Sequence, residues 1–104
     1  MQILFDNGTP RTLARYLSSQ HSVIEARARG WEKLENGDLL REAEAAGFEV
    51  LVTTDKNLGY QQNLTGRAIA IVVLGHGRWT LLKPHVVAIV AAINTATPGS
   101  FVEM

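Results

Sequence analysis

Two aspartates define the chemistry open to this chain. Asp55 closes the run Glu49-Val-Leu-Val-Thr-Thr-Asp55-Lys56, an apolar strand pattern that stops on hydroxyls and a carboxylate, and Asp6 follows Gln2-Ile-Leu-Phe5 in the same way. In an open parallel sheet the carboxyl ends of the strands line the ligand crevice, so two such strands deliver both acids to one place. Asp38, in the first turn of the helix that leads into the Asp55 strand, is the third candidate. Three converging carboxylates suit a hard divalent cation, Mg²⁺ or Mn²⁺, which takes oxygen ligands and keeps several waters. Such a cation polarises a phosphate and acidifies water, the basis of metal-assisted phosphodiester hydrolysis. Thr53 and Thr54 stand beside Asp55 as hydroxyl support. A plainer reading accompanies this one. Each strand-end acid can cap the turn that follows it, and an acid such as Asp38 is favoured in a first helical turn by the dipole alone.

Basic residues supply the second set of candidates. Arg27, Arg29 and Lys33 surround Trp31 in what reads as a loop, and could grip an RNA backbone while the indole stacks a base. The alternative is a solvated loop with Trp31 half-buried on the sheet. Arg11, on the helix after Asp6, is placed to reach a substrate phosphate. Ten basic and ten acidic side chains give zero formal charge, which argues against a general polyanion binder held by long-range attraction.

The elements that must position these residues follow an alternating pattern. Residues 2–5 read as a strand. Thr9 is the expected N-cap and Pro10 the first residue of a helix over 10–19, with Leu13, Ala14 and Leu17 on its inner face. Ser22–Ala26 reads as a second strand, joined by a right-handed crossover, and 27–35 as a loop at its carboxyl end. Asn36 is a good N-cap for a helix bearing Leu39, Leu40, Ala43 and Ala46, and Gly47 is placed to end it. A third strand covers 49–54, a short helix or turn 59–64, and a wholly apolar fourth strand 68–74. The last helix starts between Thr80 and Pro84 and carries a stripe of Val86, Ile89, Val90 and Ile93; Ser100–Glu103 adds an edge strand. This order predicts an α/β fold, a three-layer α/β/α sandwich around a mainly parallel sheet of four to five strands.

At 104 residues and 46% hydrophobic content the chain supports one core, hence a single domain over 1–104. It contains no cysteine, so neither disulfides nor thiolate metal sites enter. No apolar run approaches the ~18 residues of a membrane span, and no basic region with an apolar core opens the sequence. The expectation is a cytoplasmic protein with no membrane association.

The same residues carry a family resemblance. The chain resembles the small PIN-like domains related to the ribonuclease toxins of bacterial toxin–antitoxin pairs. In that group a first strand ends in Asp-Glu-Asn, often followed by Leu-Pro; here Phe5-Asp6-Asn7-Gly8-Thr9-Pro10 stands in its place. Asn36-Gly-Asp38-Leu-Leu-Arg-Glu-Ala43 corresponds to the acidic start of a helix, and Val52-Thr53-Thr54-Asp55-Lys56-Asn57-Leu58 to a strand ending Val-Thr-x-Asp-x-Asp-Phe. The resemblance covers nearly the whole chain. It implies a PIN-like fold and a Mg²⁺- or Mn²⁺-dependent endoribonuclease, the toxin component restrained by a small antitoxin protein. Asp6, Asp55 and Asp38 would be both catalytic and metal-binding, and Arg11, Arg27, Arg29 and Lys33 would contact substrate. Asn7, Asn36 and Asn57 occupy positions where the family carries acids, and each exchange removes one negative charge from the site. That motivates the alternative of a catalytically inactive PIN-like module that binds protein or RNA. A third option, a phosphoacceptor domain, lacks the expected hydroxyl after the fourth strand and lysine after the fifth. Part of the Val86–Ile93 stripe could serve a homodimer.

Overall fold

Apolar runs separated by polar turns become five strands: β1 (Gln2–Phe5), β2 (Ser22–Glu25), β3 (Val50–Thr53), β4 (Ala70–Val73) and β5 (Phe101–Glu103). The computed structural model describes residues 1–56, 58 and 66–104. Asn57 and the whole of the turn or helix expected over 59–64 thus lie outside the described residues, together with Thr65. All strand pairings are parallel, in the order β2-β1-β3-β4-β5. The sheet was expected to be mainly parallel, with four to five strands; it has five, with no antiparallel pair among the described residues. Chain direction across the sheet reverses beside β1: the first connection runs outward to β2, the next steps back over β1 to β3.

Side-chain alternation splits the core in two. Ile3, Phe5, Val50, Val52, Ala70 and Val72 face a layer that includes Leu13, Leu17, Leu82, Ile89 and Ile93. Leu4, Leu51, Ile71 and Val73 face Leu39, Leu40 and Ala43 of helix α1 (Asn36–Ala45) with Phe48. Strands covered on both faces explain the continuous apolar runs of β3 and β4. Glycine stops α1 as expected: Gly47 takes φ +89°, and Phe48 N–H returns to the Ala43 carbonyl at 3.0 Å.

Several local expectations are corrected. The helix expected over 10–19 is a 3-10 helix, Arg11–Tyr16; at its end the Ala14 carbonyl accepts the Leu17 N–H at 3.1 Å, the Ser18 N–H at 2.9 Å and the Ser18 hydroxyl at 2.6 Å, the shared acceptor common at helix ends. Thr9 does not cap it; its hydroxyl donates to Val52 O at 2.9 Å in a buried setting. The loop after β2 begins with a 3-10 turn, Ala26–Arg29, closed by Gly30 at φ +74°. The last helix is divided into α2 (Trp79–Leu82), a 3-10 turn (Lys83–His85) and α3 (Val86–Asn94), because Pro84 lacks the N–H that a continuous ladder needs.

The final crossover has the opposite hand to the first two. The β1–β2 connection uses the first face and the β2–β3 connection, running the opposite way, uses the second, so the two share one hand. The β4–β5 connection runs in the same direction as β2–β3 but packs Leu82, Ile89 and Ile93 on the first face, so both hands occur in one sheet, against a strong general preference for a single hand. Burial accounts for the choice. Without α2 and α3, the first face of β3 and β4 would be covered, among the described residues, by one short 3-10 helix, and fully burying each large aliphatic side chain is worth about 1.5–3 kcal/mol.

Candidate functional site

The loops leaving β1 and β3 are bound to each other by backbone and side chain. Asp6 N–H donates to Val52 O at 2.9 Å and Thr9 N–H closes a turn onto Asp6 O at 3.0 Å. A side chain at position 8 has no room: a Cβ there would lie 2.3 Å from Thr54 Oγ1. A Cβ on Gly77, in the loop after β4, would come within 3.2 Å of the Gly8 carbonyl. Three strand-end loops thus meet at the carboxyl edge, where Phe5 of β1 is paired with both Glu25 of β2 and Val52 of β3.

Thr53 joins the two aspartates. Fully buried at the end of β3, it donates its hydroxyl to Asp6 Oδ2 at 2.8 Å and accepts the Asp55 backbone N–H at 3.1 Å. The second oxygen of Asp6 accepts Asn7 N–H at 2.8 Å. Asn36 donates its side-chain amide to Asp55 Oδ2 at 2.8 Å. It was expected to cap α1, but it is the first helical residue; Glu35 occupies the cap position and makes no side-chain cap bond. Asn7 donates its own amide to the Glu32 carbonyl at 2.8 Å, tying the segment after the 3-10 turn to the β1 loop. Among the expected site residues, Asp6, Asn7, Asn36, Thr53, Thr54 and Asp55 therefore converge; Asn57 lies outside the described residues.

The remaining candidates are distributed differently. Asp38 is exposed and paired with Arg41 along the same helix. Among the described residues, no group of three or more His, Cys, Asp or Glu side chains is arranged to hold a metal ion, so the expected convergence of three carboxylates is not seen there. Arg11 and Arg27 line a cleft of about 60 Å³ with Asp6, Asn7, Thr9 and Glu25, and Arg11 Nε bonds Glu25 Oε1 at 2.7 Å. Arg29 instead lies 4.7 Å from the centre of the Trp31 ring, and Trp31 packs edge-on against Phe48 at 6.0 Å. The half-buried reading of Trp31 is the one observed. Lys33 is exposed. Glu25 was missed from the sequence, although it carried the same signal as Asp6: an acid where a short apolar strand stops.

What the arrangement offers is an oxygen-rich edge at the point where the sheet order reverses, the place where open α/β sheets bind ligands. A carboxylate has about four acceptor positions, and the two bonds at Asp6 leave it capacity for a cation. The donor set, two carboxylates with amide and hydroxyl oxygens, suits hard ions and not soft ones. Compared with known proteins, the chain matches no family model, no curated protein and no solved structure. Fold and site define a doubly wound parallel α/β domain with a polar network at its switch point. No helix among the described residues is long and apolar enough to cross a membrane.

Proposed function

We propose that this chain is a PIN-like endoribonuclease dependent on Mg²⁺ or Mn²⁺, with a site partly depleted of acids, and that it acts as the toxin of a toxin–antitoxin pair in the cytoplasm. The observation that carries the reading is the Thr53 hydroxyl bound between Asp6 and Asp55 at the switch point. Asp6 and Asp55 would hold the cation. When bound, it supplies charge neutralisation at a phosphodiester and acidifies an attacking water. Thr53 fixes the Asp6 carboxylate and Asn36 fixes that of Asp55. Two carboxylates suffice where substrate phosphates complete the coordination, which is how Mg²⁺ is commonly bound. Arg11 can exchange Glu25 for a phosphate cheaply, since an exposed ion pair is worth about 0–1 kcal/mol. Arg27 lines the same cleft, while Arg29 and Lys33 lie further along the segment. Restraint by a small antitoxin protein belongs to the same reading.

The test is cleavage of single-stranded RNA with Mn²⁺ or Mg²⁺ by the wild type, Asp6→Ala and Asp55→Ala. Metal-dependent cleavage lost in both variants is expected; cleavage by the wild type that survives both substitutions refutes the reading. A second reading, a PIN-like module that binds RNA or protein without cutting, is favoured by one observation: the Asn36 amide directs a donor at Asp55, where the family carries another acid. RNA binding without cleavage at any Mn²⁺ concentration selects it.

A further inference from the structure

Glu25 is the acid of the carboxyl edge to which a bound cation gives no task. It ends β2 in register with Phe5 of β1, the residue before Asp6, so neighbouring strands about 4.8 Å apart carry the two acids. The Arg11–Glu25 pair lines two clefts at once. One is the small cleft of Asp6, Asn7, Thr9 and Arg27. The other is an open cleft of about 450 Å³ whose remaining lining is apolar: Ala14, Val23, Ile24 and Ala28 with Phe5. That size and composition are those of a small-molecule site, mostly apolar with a few polar groups that fix orientation. We propose that this second cleft is a base subsite, in which Glu25 reads a guanine of single-stranded RNA beside the scissile phosphate and so sets where the chain cuts. The cutting rests on the reading of the Asp6–Asp55 edge as a phosphodiester site.

The occupant follows from what opening the ion pair requires. Arg11 Nε meets Glu25 Oε1 at 2.7 Å, with the Arg11 side chain 72% exposed and that of Glu25 34%, so the pair is weakly held. Moving Arg11 to a phosphate leaves Glu25 beside apolar walls without its donor, and a carboxylate so placed needs donors in return. An ionised carboxylate only accepts, through two oxygens side by side. Among the four bases, guanine alone presents two adjacent donors, N1–H and the N2 amine, on its Watson–Crick edge, an edge that proteins read in unstacked RNA. Adenine and cytosine set an acceptor beside their one amine, and uracil sets one N–H between two carbonyls; each would turn a lone pair toward Glu25. One guanine nucleotide therefore satisfies both halves of the opened pair, phosphate on Arg11 and base edge on Glu25. The faces of the base then lie on the aliphatic walls, as bases do in pockets that read them. An acyl chain or an acidic peptide offers Glu25 no donor, and a basic peptide offers Arg11 no anion.

Titration of the isotope-labelled whole chain with each of the four 5′-mononucleotides in chelator, followed by amide chemical shifts, tests this without any cleavage. GMP is expected to bind at least about tenfold more tightly than AMP, CMP or UMP, within the discrimination that a two-bond base contact gives, and to shift the Glu25 and Ala28 amides. Glu25→Gln, whose amide has one acceptor and one donor in place of two acceptors, is expected to bring all four within about threefold of one another. Ala28→Trp, on the exposed side of the 3-10 turn, fills the cleft and is expected to weaken GMP about tenfold or more. The amide spectrum identifies a variant that fails to fold, and the other variant then decides. Equal binding of the four nucleotides, no binding at about 10 mM, a guanine preference that survives Glu25→Gln, or GMP affinity unchanged by Ala28→Trp overturns the base subsite. The two readings fail separately. Guanine-selective binding without RNA cleavage in Mn²⁺ rejects the nuclease and keeps the guanine site; metal-dependent cleavage indifferent to guanine rejects the guanine site and keeps the nuclease.

Discussion

Thr53→Val is the sharpest perturbation of the network, because it keeps side-chain shape and removes only the hydroxyl. That hydroxyl donates to Asp6 Oδ2 and accepts the Asp55 N–H from a fully buried position. A hydrogen bond to a charged group contributes about 1.5–3 kcal/mol, and water reaching the half-exposed Asp6 recovers part of it. The Asp55 N–H left without its acceptor adds about 1 kcal/mol, the lower end for a group that is only partly buried. Against these stands the gain from a more apolar side chain in the core, smaller than either. The net expectation is a loss of about 2 kcal/mol, or a fall of about 8–16 °C in Tm for a domain of this size. Urea and thermal unfolding measure it. A double-mutant cycle with Asp6→Asn isolates the shared term, expected at about 1 kcal/mol or more for groups in direct contact. A Thr53→Val protein that melts within about 2 °C of the wild type, or a coupling indistinguishable from zero, refutes the claim that Thr53 holds the two loops together.

Two further outcomes follow from the same edge. Gly8→Ala places a Cβ 2.3 Å from Thr54 Oγ1, so it should lose about 1–3 kcal/mol by overpacking; Gly8→Ala with Thr54→Ala, where the closest remaining Thr54 atom is Cβ at 3.6 Å, should regain most of it by urea unfolding. Asn36→Asp exchanges an amide donor for a second carboxylate beside Asp55; it should lower Tm in chelator and raise it in saturating Mn²⁺ relative to the wild type, since a ligand that binds only the folded state stabilises it. An Asn36→Asp protein whose Tm ignores Mn²⁺ would exclude a cation from that end of the network.

The strands and the edge that carries the site were legible because they rest on simple regularities. Fully apolar runs such as Ala70–Val73 need cover on both faces, and Phe5-Asp6 and Thr53-Thr54-Asp55 mark where such cover ends. What was not legible depends on competition between partners that lie far apart in sequence. Asn36 has the right chemistry for a cap, yet Asp55, across the carboxyl edge, offers its amide a charged acceptor in place of a backbone group. Thr9 makes a similar exchange with Val52 O. The hand of the last crossover is decided by which face of the sheet still needs covering. Glu25 was overlooked for a different reason: its strand is an edge strand whose residues are only partly buried, so its apolar signal is short.

The amides at positions 7 and 36 bear on how a cation could be recruited. Both donate their N–H groups within the fold, Asn7 to Glu32 O and Asn36 to Asp55, so they hold the carboxylate edge together, whereas acids at these two positions would add like-charge repulsion there. An edge with two carboxylates is easier to assemble without a cation and binds one less tightly, because affinity for a hard ion follows ligand charge count. If RNA phosphates complete the coordination, Mn²⁺ affinity and RNA affinity must each increase the other by the same factor, since binding linkage is reciprocal. Weak Mn²⁺ binding by the isolated chain is then compatible with metal-dependent cleavage. The measurement that separates the nuclease from the inert module is the Mn²⁺ affinity with a non-cleavable oligonucleotide bound, set against the affinity without it.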